Sequence, residues 1–285
     1  DISILAKSSI IFFATCFSIY FYFYLFIIFP CLCFLFSLFF FIFFRNWHVY
    51  IILIFFYCVI LMSCSNYGST INIVSNKVDT QRCSADCAYS YYHNPNSSCV
   101  VINKDEYLDI QTDGTNNVKF NEESQSITSV RLYQPSIHLY NGSQADAELI
   151  IQYAGSGKNL LVCIPVTSSD GNGRSNNFFN QFIPFIDASE KNTTQVFNVN
   201  SWSLNDVLSY ETPYFYYLGN FPFPPCNSKS SIIVFDIKDA ATINTDDLNS
   251  LKSYIKDTPK ATIGSTNYLM YNNRGTIDPN NPNGA

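Results

Sequence analysis

Apolar residues follow two regimes along this chain: near-continuous blocks up to Met62, and short runs interleaved with polar residues beyond Ser97. Ile10 to Phe29 (IIFFATCFSIYFYFYLFIIF) is twenty residues without a charge, long enough to cross a bilayer as a helix. Pro30 interrupts it. Cys31 to Phe44 and Val49 to Met62 flank Arg45-Asn-Trp-His48 and hold fourteen residues each, nearer to a signal-peptide core or an interfacial piece. Residues 1–62 therefore read as a hydrophobic leader or one or more transmembrane segments. Met62 is the only methionine before Met270 and residue 1 is not Met, so upstream sequence carried into the frame fits equally. Leu61-Met62-Ser63-Cys64 also has the form of a bacterial lipoprotein cleavage box.

After the leader, residues 63–96 are rich in Ser, Asn and Tyr and read as a polar neck. Val130 to Tyr133, Ser136 to Tyr140, Ala147 to Tyr153 and Asn159 to Val166 are short apolar runs punctuated by Gly, Asn or Pro, the pattern of strands. Asn176 to Ile186 (NNFFNQFIPFI) has helical spacing and predicts one helix. Tyr214 to Leu218 and Ser231 to Asp236 return to strand. Thr245 is expected to cap a second helix, with Asp246 and Asp247 in its first turn and Leu248, Leu251, Tyr254 and Ile255 on its apolar face. The tail from residue 276 to 285 is Asn-, Pro- and Gly-rich and expected to be loose.

Charge narrows the partners. Only Asp1, Lys7 and Arg45 are charged up to Met62, which leaves 14 basic and 21 acidic residues after it, a balance of −7. No basic stripe exists to neutralise phosphates, so nucleic acid is excluded as a partner. Cys163, within LLVCIPV, reads as a buried structural thiol. Cys83, Cys87, Cys99 and Cys226 lie in polar, turn-rich surroundings and are disulfide candidates behind a hydrophobic leader, a lone CxxxC being a weak zinc signal. Sequons at Asn96, Asn141 and Asn192 agree with an exported glycoprotein. The density of Phe, Ile, Asn and Lys fits a giant virus or a protist.

The order IHLYNGS, AELIIQY, LLVCIPV, a helix, YFYYLGNFPFPPC and SIIVFD resembles the α-class carbonic anhydrases, whose corresponding segments look like FHFHWGS, AELHLVH, a strand, a helix, YxxYxGSLTTPPC and WIVF. The resemblance covers residues 97–275 and implies a mainly β fold, a twisted, mostly antiparallel sheet with short peripheral helices. It places a disulfide cysteine at Cys226, with Cys87 or Cys99 as the expected partner. The family pattern continues beyond MYNNRGTI, as it would if this were a fragment.

Carried over residue by residue, the resemblance puts the three zinc histidines at His138, Tyr140 and Ile150. Tyrosine, with an ordinary pKa of about 10, is a poor ligand near neutral pH; isoleucine has no lone pair. His93 and His138 are the only histidines after the leader, too few for a three-histidine site. Glu148 takes the place of the acid that orients the third histidine. The threonine that receives a hydrogen bond from zinc-bound hydroxide falls at Pro222, and Phe223 follows at the mouth of the cleft. The expectation is a catalytically inactive domain without cofactor, anchored in a membrane or on a virion surface, binding a protein or a neutral glycan. The rival readings are a zinc-dependent carbonate dehydratase and a purely structural surface component.

Overall fold

The computed structural model describes residues 70–74, 81–83, 87–112, 116–156, 159–170, 173, 175–223, 229–258 and 269–280; the leader, Cys64 and Cys226 lie outside them. The chain divides into two units, Asp1–Leu61 and Met62–Ala285, and every described residue belongs to the second. No helix among the described residues is long and apolar enough to cross a membrane.

The strands are β1 (Asn72–Ile73), β2 (Gln81–Arg82), β3 (Tyr89–His93), β4 (Asn96–Asn103), β5 (Leu108–Gln111), β6 (Asn116–Phe120), β7 (Glu123–Tyr133) and β8 (Leu139–Tyr140). They continue with β9 (Ser143–Gln144), β10 (Ala147–Gly155), β11 (Asn159–Ser168), β12 (Thr194–Trp202), β13 (Tyr214–Asn220), β14 (Lys229–Phe235), β15 (Ala241–Ile243) and β16 (Met270–Asn272). Thirteen form one sheet with the path β12-β4-β5-β7-β10-β11-β14-β13-β16-β2. Its pairs are antiparallel except β11 with β14, β11 with β15, and β16 with β2. A small sheet of β1, β8 and β9 lies apart.

Both faces of the central strands are buried, so alternation sorts side chains into two apolar clusters. From β10, Leu149, Ile151 and Tyr153 enter the main core while Ile150 enters the second cluster. The main core takes the helices α1 (Asn176–Phe179) and α2 (Thr245–Tyr254) against it through Phe178, Leu248 and Leu251. Trp202 anchors this side: Phe178 stacks on it at 4.6 Å and its indole N–H donates to the Phe178 carbonyl at 3.1 Å.

Several expectations change. The helix expected from Asn176 to Ile186 is one α-turn followed by a 3-10 turn, Ile183–Phe185. Pro184 has no N–H to continue the ladder. Asn244, not Thr245, caps α2, and its carbonyl accepts from Leu248 N–H at 2.9 Å. The stretch read as a neck contributes strand β3, whose Tyr89 and Tyr91 are buried in the main core. Cys83 pairs with Cys87. Cys99 is buried with a free thiol, so it is neither partner to Cys226 nor a disulfide cysteine; it faces the main core from β4, where burial pushes the thiol pKa up to about 12. The tail is docked as far as Ile277: the Thr276 carbonyl accepts from Glu211 N–H at 2.8 Å and Ile277 bridges to Ser90. Of the sequon residues, Asn141 and Asn192 are exposed and Asn96 is half-buried in β4.

Candidate functional site

The segment Ser136 to Tyr140, expected as a strand, is bent through His138 and becomes strand only at Leu139. Asn141 and Gly142 then turn the chain with φ of 51° and 87°, the two positive angles of a tight hairpin. The first half of the segment is not in a ladder because a carboxylate holds it. Oε2 of Glu148, on β10, accepts from the backbone N–H of Ile137 at 2.7 Å and of His138 at 3.1 Å. Oε1 meets Nδ1 of His138 at 2.7 Å and accepts from the Tyr140 hydroxyl at 3.3 Å. On the far side of the ring, Nε2 of His138 meets the Tyr217 hydroxyl, from β13, at 2.8 Å. Both His138 and Glu148 are fully buried.

Charge fixes the direction of these bonds. Burial acts to raise the Glu148 carboxyl pKa, but the His138 ring and the two backbone N–H groups prevail and hold it below the ordinary carboxylate range. Glu148 is therefore ionised, and His138 donates to it through Nδ1–H. Burial, reinforced by neighbours that include Glu148, pushes the hydroxyls of Tyr140 and Tyr217 well above the usual tyrosine value. Both keep their protons; Tyr217 donates to Nε2 and Tyr140 to the carboxylate. Every lone pair and proton of the imidazole is used.

The surroundings are apolar and filled. Ile150 pairs with Cys163 across β10 and β11, and both join Tyr140, Tyr217, Phe221 and Phe223 in the second cluster. Phe223 is 6% exposed, stacked on Phe221 at 5.5 Å, with Pro222 between them. Strand β1 closes the cluster from outside. The carbonyls of Ile71 and Ile73 accept from Leu139 and Asn141 N–H at 3.2 and 2.9 Å, and both side chains are buried.

No protein-family model and no curated protein sequence matches the chain. Solved structures do. An α-carbonic anhydrase from Thermovibrio ammonificans, solved with the inhibitor sulfanilamide, aligns with a TM-score of 0.60 at 16% identity over 72% of this chain and 86% of its own. A carbonic anhydrase from Chlamydomonas reinhardtii, solved with acetazolamide, gives 0.59 at 14% over 72% and 90%. Dioscorin, complexed with ascorbate, gives 0.54 at 17% over 72% and 84%. The fold is that of the α-carbonic anhydrases.

Within this α-carbonic anhydrase-like fold, His138, Tyr140 and Ile150 converge on one cluster, as the resemblance expected. They do not fit zinc. The His138 Nε2 lone pair is taken by Tyr217, the Tyr140 phenol keeps its proton, and Ile150 offers no donor atom. Donor atoms of His138, Glu148 and Cys163 do lie within 4.8 Å of one another. Yet zinc needs a thiolate, and burial, with Glu148 beside it, pushes the Cys163 thiol well above the usual value. Ion, lone pair and thiolate would all have to replace a network that is already complete.

Asp146 accepts from the backbone N–H and hydroxyl of Ser168 at 2.8 and 3.0 Å, and Asp170 from the Thr245 hydroxyl, so these acids brace loops. Sequence reasoning assigned Glu148 to Ile150's position, whereas the carboxylate serves His138 itself. It also missed Tyr217 as a histidine partner, although alternation along YFYY places Phe215 and Tyr217 on the site's face and Tyr214 and Tyr216 on the other. Nothing in the sequence pattern marks Ile71 and Ile73 as a cover.

Proposed function

We propose that this is a catalytically inactive carbonic anhydrase-like domain that acts by binding a protein or neutral glycan at a membrane or virion surface. The observation that supports it is the closed Glu148–His138–Tyr217 network, which spends the imidazole on structure. Without a bound metal, no group here would lower the pKa of water toward neutrality. Export and anchoring rest on the apolar leader and the sequons.

Elemental analysis of the purified chain tests the reading. Well under one equivalent of zinc is expected, with carbon dioxide hydration at background. Stoichiometric zinc that disappears in His138→Ala overturns it in favour of a carbonate dehydratase, the reading favoured by the His138, Glu148 and Cys163 donors. Basic residues are scattered singly, so no retention on heparin is expected at about 0.15 M salt, where screening extends over roughly 8 Å.

A further inference from the structure

Arg131 stands at the rim of the filled cleft. On β7 it is the register partner of Ile150, and alternation puts Ser129, Arg131 and Tyr133 on the second-cluster side of the strand. Its guanidinium carbon lies 3.9 Å from the Phe223 ring centroid and 4.7 Å from that of Tyr107. Nε donates to the Ser129 hydroxyl at 3.1 Å and Nη1 to the Tyr133 hydroxyl at 3.4 Å. A guanidinium carries five N–H donors in a planar fork, so three have no protein acceptor among the described residues.

The charge also lacks a protein counterion there. The ion pairs of the described residues are His138 with Glu148, and Lys191 and Lys256 with Asp105. Asp109 faces Arg131 in register across β5 without reaching ion-pair distance. A half-buried guanidinium held flat by two rings, with its fork free and its charge unmatched inside an acidic domain, is prepared for an anion. Carboxylate is the planar anion that a fork binds through two parallel bonds. The half-buried Tyr107 ring beside it offers a face on which a flat ligand body can stack.

We propose that Arg131, Tyr107 and Phe223 form a binding site for a ring carboxylate, a single carboxylate carried on a flat cyclic body. The proposal rests on the reading that the domain acts by binding, and names the chemistry of one ligand. A lone guanidinium differs from the clustered basic residues a polyanion requires, so the site is consistent with no retention on heparin.

Benzoate is the probe, titrated into the purified chain and followed by ligand-observed NMR, with benzamide and acetate as controls. Benzoate is expected to bind at least tenfold more tightly than benzamide, which lacks the charge, and at least fivefold more tightly than acetate, which lacks the ring. Arg131→Gln should weaken benzoate at least tenfold and Arg131→Lys nearly as much. Tyr107→Ala, at a half-buried position, should weaken it severalfold with an unchanged circular dichroism spectrum, which guards against loss of fold in the Arg131 variants. Equal affinity for benzoate and benzamide, or for benzoate and acetate, overturns the proposal, as does benzoate binding that survives Arg131→Gln. Neither result alters the zinc content, so failure here is distinguishable from failure of the inactive-domain reading.

Discussion

His93 and His138 are buried on opposite sides of one sheet in matching settings. Each imidazole has Nε2 against a tyrosine hydroxyl, Tyr153 at 3.2 Å for His93 and Tyr217 at 2.8 Å for His138. The difference is the partner at Nδ1: the Asn116 amide oxygen at 2.8 Å in one case, the Glu148 carboxylate at 2.7 Å in the other. Facing only neutral groups, His93 suffers desolvation almost uncompensated and its pKa falls to about 4. His138 sits against a negative charge that also gathers two backbone N–H groups and a phenol. Geometry is shared; the charge of one partner decides whether a histidine merely fills space or organises the chain around it.

The largest expected effect breaks the charged member. Glu148→Ala leaves two backbone donors and an imidazole N–H buried without an acceptor, and should cost about 3–5 kcal/mol by urea unfolding. Asn116→Ala, on the neutral member, should cost about 1–3 kcal/mol. Equal losses would dissolve the distinction between the two sites.

Acid separates them next. His93 binds a proton at pH 6.5 when unfolded but only near pH 4 in the fold. The unfolded chain therefore holds more protons between those values, and stability should fall by about 3 kcal/mol as pH drops from 6.5 to 4. Glu148 behaves as a lowered carboxylate: its contribution is present above the ordinary carboxylate pKa and is lost as pH falls through the lower folded value. Unfolding midpoints of His93→Gln, measured across that range, should lack the first loss. An unchanged slope in that variant would assign the titration elsewhere.

A smaller effect sharpens the comparison. Tyr217→Phe and Tyr153→Phe each remove one hydroxyl from an imidazole nitrogen and should cost about 1 kcal/mol each. The smallest expected change is in activity: Tyr140→His, Ile150→His and Pro222→Thr combined should leave carbon dioxide hydration at background. Phe223 still fills the mouth and Tyr217 still occupies Nε2. Efficient turnover in that triple variant would show that the cleft opens on its own.

The sheet was legible because alternation survives in AELIIQY and SIIVFD, and the most specific resemblance runs from Tyr214 to Phe235. Loss of histidine at positions 140 and 150 was also plain from residue identity. What replaced the ligands was hidden, since Tyr217 and Glu148 lie 69 residues apart in sequence and meet only through strand order. The expected helix at Asn176 failed on one proline inside an otherwise helical pattern. The cover formed by Ile71 and Ile73 escaped notice because a two-residue strand is too short to show a period.

The Tyr140 hydroxyl bond to Glu148 bears on how such a protein can evolve. Returning histidine to position 140 alone removes a donor from a buried carboxylate while Ile150 still provides no ligand, so the first step back lowers stability and restores nothing. Each further step meets the same obstacle until several changes occur together. A lineage that has crossed to this arrangement stands behind a fitness valley, and drift in the rest of the domain would deepen it. The surviving histidine is then held in place by selection on folding, and its persistence in sequence comparisons would be a misleading sign of retained chemistry.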